Sequence, residues 1–213
     1  MKIAKLVTLF MISISWSLLA KERVAGTEVN IEAPEGFEKA TQFPGYLMKA
    51  TSSSIMVTAM SGGPFTEITK GFNKEGLASK GMKLISKEDL KVGDAQAVLI
   101  HASQKAYGVD FLKWMLVFGD KSETVIVVAS FPKEFEGKLS DILKKSVLSA
   151  ERDDTVKLDF FEGVTFRVKE SGAFKIANKL GNNLILTVDA VFPQKDKTAP
   201  LVIVGSSVSQ DWK

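Results

Sequence analysis

From Asp110 to Phe131 the chain reads as two strands that are apolar on both faces, and this pattern decides most of what the chain can become. Leu112, Trp114, Leu116 and Phe118 alternate with Phe111, Met115 and Val117; Val125, Val127 and Ala129 alternate with Ile126 and Val128. Successive side chains of a strand point to opposite faces, so a sheet built from such strands needs a cover on each side. Two further strands precede them, giving a series over Lys83–Asp89, Ala95–Gln104, Asp110–Phe118 and Thr124–Phe131. The links are Val92-Gly93-Asp94, Tyr107-Gly108 and Gly119-Asp120-Lys121-Ser122. They leave no room for crossover helices, so neighbouring strands are antiparallel. Phe135, Leu139, Ile142, Leu143 and Val147 form the stripe of a helix that covers one face. Phe65, Ile68 and Phe72 fall at helical spacing in a segment reaching about Ser79, before Gly81, and supply the other cover. The expected fold is α/β (α+β), an αβα sandwich around a mainly antiparallel sheet.

Upstream, Val29, Ile31 and Ala33 alternate with polar residues until Pro34-Glu35-Gly36-Phe37 breaks the strand. Tyr46–Ala50 and Ser53–Met60 are the next two strands, ending at Gly62-Gly63-Pro64. Glu151-Arg152-Asp153-Asp154-Thr155 is a polar boundary, and the C-terminal segment beyond it echoes the start of the first domain. Shifted forward by 137, Gly26 falls on Gly163, Val29 on Phe166, Phe37 on Phe174, Ala40 on Ala177 and Leu47 on Leu184. The expected organisation is a leader over 1–20, an αβα domain over 21–152, and a β-rich partial second copy of the first strands over 153–213. The second copy has expected strands at Gly163–Val168, Leu184–Asp189 and Leu201–Gly205. It lacks a covering helix, so it is expected to dock on the first domain.

Lys2 and Lys5, the apolar stretch Leu6–Leu19 and the small residue Ala20 read as a signal peptide. The stretch is shorter than the roughly 20 apolar residues a membrane span needs. The expected protein is periplasmic or secreted after cleavage near Ala20, with no membrane span. Cysteine is absent, which removes disulfides, thiol catalysis, cysteine-ligated zinc and lipid attachment at an N-terminal cysteine. A net charge of +3 with no basic block gives no argument for nucleic acid.

The extended entry into Pro34-Glu35-Gly36-Phe37, the antiparallel run containing Phe111-Leu112-Lys113-Trp114-Met115 and the closing helix after Phe131-Pro132 resemble a superfamily. It includes PsbP-like photosystem subunits, the Ran-binding Mog protein and DcrB-like bacterial envelope proteins, the last being most similar. The resemblance covers about residues 24–150. It implies an αβα sandwich used as a non-catalytic binding or assembly module, with no catalytic residues to carry over. The lipid anchor of some DcrB-like proteins does not carry over either, because this chain has no cysteine for it.

Candidate chemistry in the residues is thin. His101 is the only histidine and shares a strand face with Ser103, the arrangement a hydrolase would need, but no Gly-x-Ser-x-Gly elbow occurs. Glu151, Asp153, Asp154 and Asp159 offer oxygen ligands for a cation at no recognised spacing. Gly62-Gly63 precedes a helix, where backbone N–H groups can hold an anion. Phe160, Phe161 and Trp212 are candidate partner contacts, since interface cores favour aromatic side chains. No metal or cofactor is implied. The reading that results is an exported interaction module whose partner is an envelope protein or a second copy in a homodimer. A small-ligand or cation binder with a cleft between the first sheet and the second segment is the alternative, and a hydrolase is the third.

Overall fold

A computed structural model describes residues 20–206. The expected leader up to Leu19, and Trp212 with its neighbours, lie outside the described residues. In chain order the strands begin with β1 (Glu22–Arg23), β2 (Val29–Ile31), β3 (Glu38–Lys39), β4 (Gly45–Met48) and β5 (Ser53–Ser61). Two short helices come next, α1 (Phe65–Ile68) and α2 (Lys74–Ala78). Then come β6 (Met82–Val92), β7 (Ala95–Ala106), β8 (Val109–Gly119), β9 (Glu123–Pro132), α3 (Glu136–Leu148) and β10 (Glu151–Arg152). The C-terminal strands are β11 (Lys175–Leu180), β12 (Asn183–Thr187) and β13 (Leu201–Val204).

Seven strands form one antiparallel sheet in the order β3-β4-β5-β9-β8-β7-β6. Its two faces are both apolar and both covered. On one face Tyr46, Ile55, Leu99, Trp114, Leu116, Val127 and Phe131 pack beneath Leu139, Leu143 and Val147 of α3. The small sheet β1-β2-β10 caps the same face through Val29 and Ile31. On the other face Val98, Ile100, Met115 and Val117 meet Phe65, Phe72 and Leu77 from the α1–α2 segment. Trp114 is 9% exposed and belongs to the α3 face, where its indole N–H donates to Ser140 Oγ at 3.0 Å. The αβα sandwich expected from the two-faced strands forms.

Two details differ from the sequence-based expectation. The helix expected from Phe65 to Ser79 is broken into α1, a 3-10 turn at Thr69–Gly71 and α2. Gly71 ends the turn at the break and Gly76 lies inside α2, where a Cβ would collide with the Gly71 carbonyl oxygen. The strand expected at Gly163–Val168 does not form, and those residues are irregular. They alternate between half-buried and exposed, so the pattern marks an apolar side, but no ladder partner exists for it.

β11-β12-β13 form a separate antiparallel meander. Like β3-β4-β5 it is a meander, but its register is not the one the expected repeat requires. Glu38 pairs with Leu47, whereas Lys175, its counterpart, pairs with Thr187. Polar contacts fasten the segment to the first unit, and the Pro193 ring packs against Gly62. Arg23 grips Glu162 with both guanidinium nitrogens, at 2.8 and 2.5 Å. Lys179 reaches from β11 to the Glu162 and Gly26 carbonyls, and Asn182 Nδ2 donates to the Gln42 carbonyl at 2.7 Å. Gly26 has φ +74, and a Cβ there would collide with the Lys179 ammonium. The segment docks, and it docks where glycine lets it approach.

Candidate functional site

The turn that ends β2 and the outer side of α3 enclose an apolar cleft of about 290 Å3. The turn exists because Phe37 N–H donates to the Pro34 carbonyl at 3.1 Å while Gly36 takes φ +82. A Cβ on Gly36 would come within 2.8 Å of Met48 Cε, so both backbone and space call for glycine. α3 is tied to the strand before the turn by two serines. Ser146 Oγ donates to the Glu32 carbonyl at 2.6 Å, and Glu32 N–H donates to Ser149 Oγ at 2.8 Å. Lys145 stands 3.6 Å from the Glu32 carboxylate at the rim. The floor and walls come from Pro34, Phe37, Leu139 and Ile142. Ile142 is 49% exposed although it lies in the apolar stripe of α3. Residues that close the core sit on the inner side of the helix; Ile142 is rotated off it, towards the turn.

The gaps between the first sheet and the C-terminal segment, where a ligand cleft was expected, are about 30 Å3 each. Such a volume accommodates a water molecule or two, whereas a wider cleft of about 560 Å3 lies between the ends of the first sheet and the boundary, lined by Phe118, Asp120, Glu151, Arg152 and Asp154. His101 stacks on Trp114 with ring centroids 4.0 Å apart and planes 10° from parallel. Its Nε2 is buried without a hydrogen-bond partner, Ser103 included. Burial lowers the His101 pKa, Lys144 lowers it further and Glu136 opposes them. The ring is an inner wall beside α3, with one face occupied by indole.

The acidic residues near the boundary are each occupied locally. Glu151 pairs with Lys21 at 2.5 Å, and Asp154 with Arg152 at 2.5 Å. Arg152 also reaches Asp120 at 3.0 Å. The Asp120 carboxyl is held well below the usual carboxylate range, by the Ser122 hydroxyl and N–H first and then by Arg152. Asp153 accepts from Thr155 and Asp159 from the Phe161 N–H. Among the described residues no three acidic or histidine side chains converge as a cation site. The Gly62 N–H donates to the Ser122 carbonyl and Gly63 N–H to that of Met60, so neither is free for an anion. Phe160 and Phe161 are half-buried, and the Arg167 guanidinium lies 4.6 Å above the Phe161 ring.

No family model matches the chain, and no curated protein matches it. Among solved structures it is similar to a protein of unknown function from Pseudomonas aeruginosa, at 14% identity over 54% of this chain and 88% of that one, TM-score 0.38. It is similar to LpqN of Mycobacterium tuberculosis, which is involved in cell envelope biogenesis, at 11% identity over 57% and 81%, TM-score 0.45. It is also similar to cyanobacterial PsbP from Synechocystis, at 11% identity over 59% and 87%, TM-score 0.42.

The cleft is only half legible in the residues. The sequence marks its turn, but gives Ile142 as one of five stripe residues with nothing to single it out as exposed. A stripe of that width on a 13-residue helix is the available signal, because the inner side has room for fewer.

Proposed function

We propose that this chain is an exported, non-enzymatic interaction or assembly module of the bacterial cell envelope, of the PsbP-like and DcrB-like kind. The observation that carries the reading is the cleft. Its one wall is the Pro34–Phe37 turn, on which the resemblance partly rests, and its other wall is an exposed isoleucine on α3. At about 290 Å3 it lies just below the 300–1,000 Å3 typical of pockets for drug-sized ligands. One large apolar side chain from a partner suits that volume, in the manner of an interface anchor. The basic start and short apolar stretch of the sequence support export. Among the described residues no helix is long and apolar enough to cross a membrane.

A photo-crosslinking amino acid in place of Ile142, expressed in the native cell, tests the reading. An adduct with an envelope protein is expected at Ile142 and not at Ile85, an equally exposed position on β6. Equal adducts from both positions, or protein found in the cytosol, would contradict it. The apolar lining also favours a second reading, a small aliphatic ligand in the same cleft. Native mass spectrometry of gently purified protein separates the two, because a retained mass lost in Ile142→Asp supports the ligand.

A further inference from the structure

The three sheets have six edges, and five of them carry a device that discourages pairing with another chain. β1, β3 and β10 are only two residues long. β6 carries Lys83, Lys87, Glu88, Asp89 and Lys91 and has an irregularity between Leu84 and Ser86. β11 carries Lys175 and Lys179 and has one between Ile176 and Asn178. Brevity, charge and bulges are the means by which edge strands are kept apart. β13 has none of the last two. Leu201-Val202-Ile203-Val204 runs in unbroken register along β12, and no residue from Ala199 to Ser206 is charged. Leu201 and Val202 are 39% exposed and Ile203 is 63% exposed. Among the described residues β13 pairs with β12 alone, and its backbone makes no hydrogen bond outside that ladder.

We propose that β13 is a self-association edge, which pairs antiparallel with the same strand of a second copy about a two-fold axis. A two-fold interface requires a patch that is its own complement, and this one is. Pairing Leu201 with the partner's Val204, and Val202 with the partner's Ile203, sets apolar against apolar on both faces. The eight neutral residues of Ala199–Ser206 bring no like charges together, whereas β6 or β11 paired with itself would bring lysines close. The pair joins two three-stranded meanders into one six-stranded sheet, and no β13 residue lines the α3 cleft, so the proposal does not rest on what the cleft binds.

Sedimentation equilibrium of the purified protein over a wide concentration range is the first test. A monomer–dimer equilibrium is expected, weakened at least tenfold by Ile203→Lys and unchanged by Ile85→Lys. Ile203 is exposed, so the folded circular dichroism and melting temperature of the variant should match the parent. The register has its own test, because the chain has no cysteine of its own. A mixture of Val202→Cys and Ile203→Cys chains should form disulfide-linked dimers faster than either alone. A protein that stays monomeric, a dimer that survives Ile203→Lys, or a mixture that links no faster than its components would overturn the proposal. So would a monomer whose β13 amides are protected on both edges, which would mean that the chain covers its own strand.

Discussion

The seven-stranded sheet and the C-terminal meander are both antiparallel and both rich in aliphatic residues, yet they are held in different ways. In the first, the strand β8 is sealed on both faces: Leu116 and Val117, adjacent in it, are each fully buried, one under α3 and the other under the α1–α2 segment. In the second, only β12 is buried, through Leu184, Ile185, Leu186 and Thr187, while its neighbour β13 stays exposed. The first unit coheres by apolar packing. The second is fastened by Arg23–Glu162, Lys179 and Asn182, groups that water competes for. The difference teaches that apolar sequence alone does not make a core. The C-terminal segment carries no helix among its described residues, and its burial stops at the central strand β12, leaving the β13 edge open.

The largest expected effect falls on the sealed sheet. Trp114→Ala removes a buried indole, its bond to Ser140 and its stack with His101, and should cost roughly 3–5 kcal/mol. Chemical denaturation should show the loss as a lower midpoint for the whole first unit; an unchanged midpoint would break the two-sided account. Leu184→Ala, at a fully buried position of β12, should cost about 2–4 kcal/mol within its own sheet. Limited proteolysis should then cut between 156 and 204 sooner, while the melting temperature of the first unit holds.

That contrast is partly legible in the residues. β7, β8 and β9 lie within two residues of their expected limits because the short turns at Tyr107-Gly108 and Gly119-Asp120-Lys121-Ser122 set where each strand ends and how the hairpins pair. Val164, Phe166 and Val168 show the same alternation and form no strand, since alternation reports which side is apolar and not whether a neighbour is there to pair. The break between α1 and α2 is hidden for a different reason: Phe65 and Leu77 reach the core from two short helices and Phe72 from the link between them, still at near-helical spacing. Nothing in the sequence singles out Lys179, although its aliphatic stem and ammonium do much of the fastening. A lysine in a strand reads as solvent-facing until a carbonyl pair is placed beside it.

Smaller effects sharpen the comparison. Glu162→Gln weakens the grip of Arg23, and because both side chains are about a third exposed the expected cost is about 1 kcal/mol, reduced by salt. It should be visible as faster cleavage of the C-terminal segment and nowhere else. His101 supplies a pH signature for the first unit. Its pKa is lowered by burial, so between that value and the ordinary value of about 6.5 the unfolded chain binds the proton more readily. This contribution to stability should therefore be present above the ordinary value and be lost as pH falls below it. His101→Gln should flatten that limb of a melting-temperature profile.

Hydrogen exchange read by mass spectrometry, at a concentration where the protein is monomeric, compares the two regions in one molecule. Amides of β8 and β9 should exchange only with global unfolding, at the full free energy measured by denaturant. Those of β11 and β12 should exchange earlier, through release of the segment, and earlier still in Glu162→Gln. Equal protection in both sheets, moving together when Glu162 is changed, would show one cooperative unit and contradict the account.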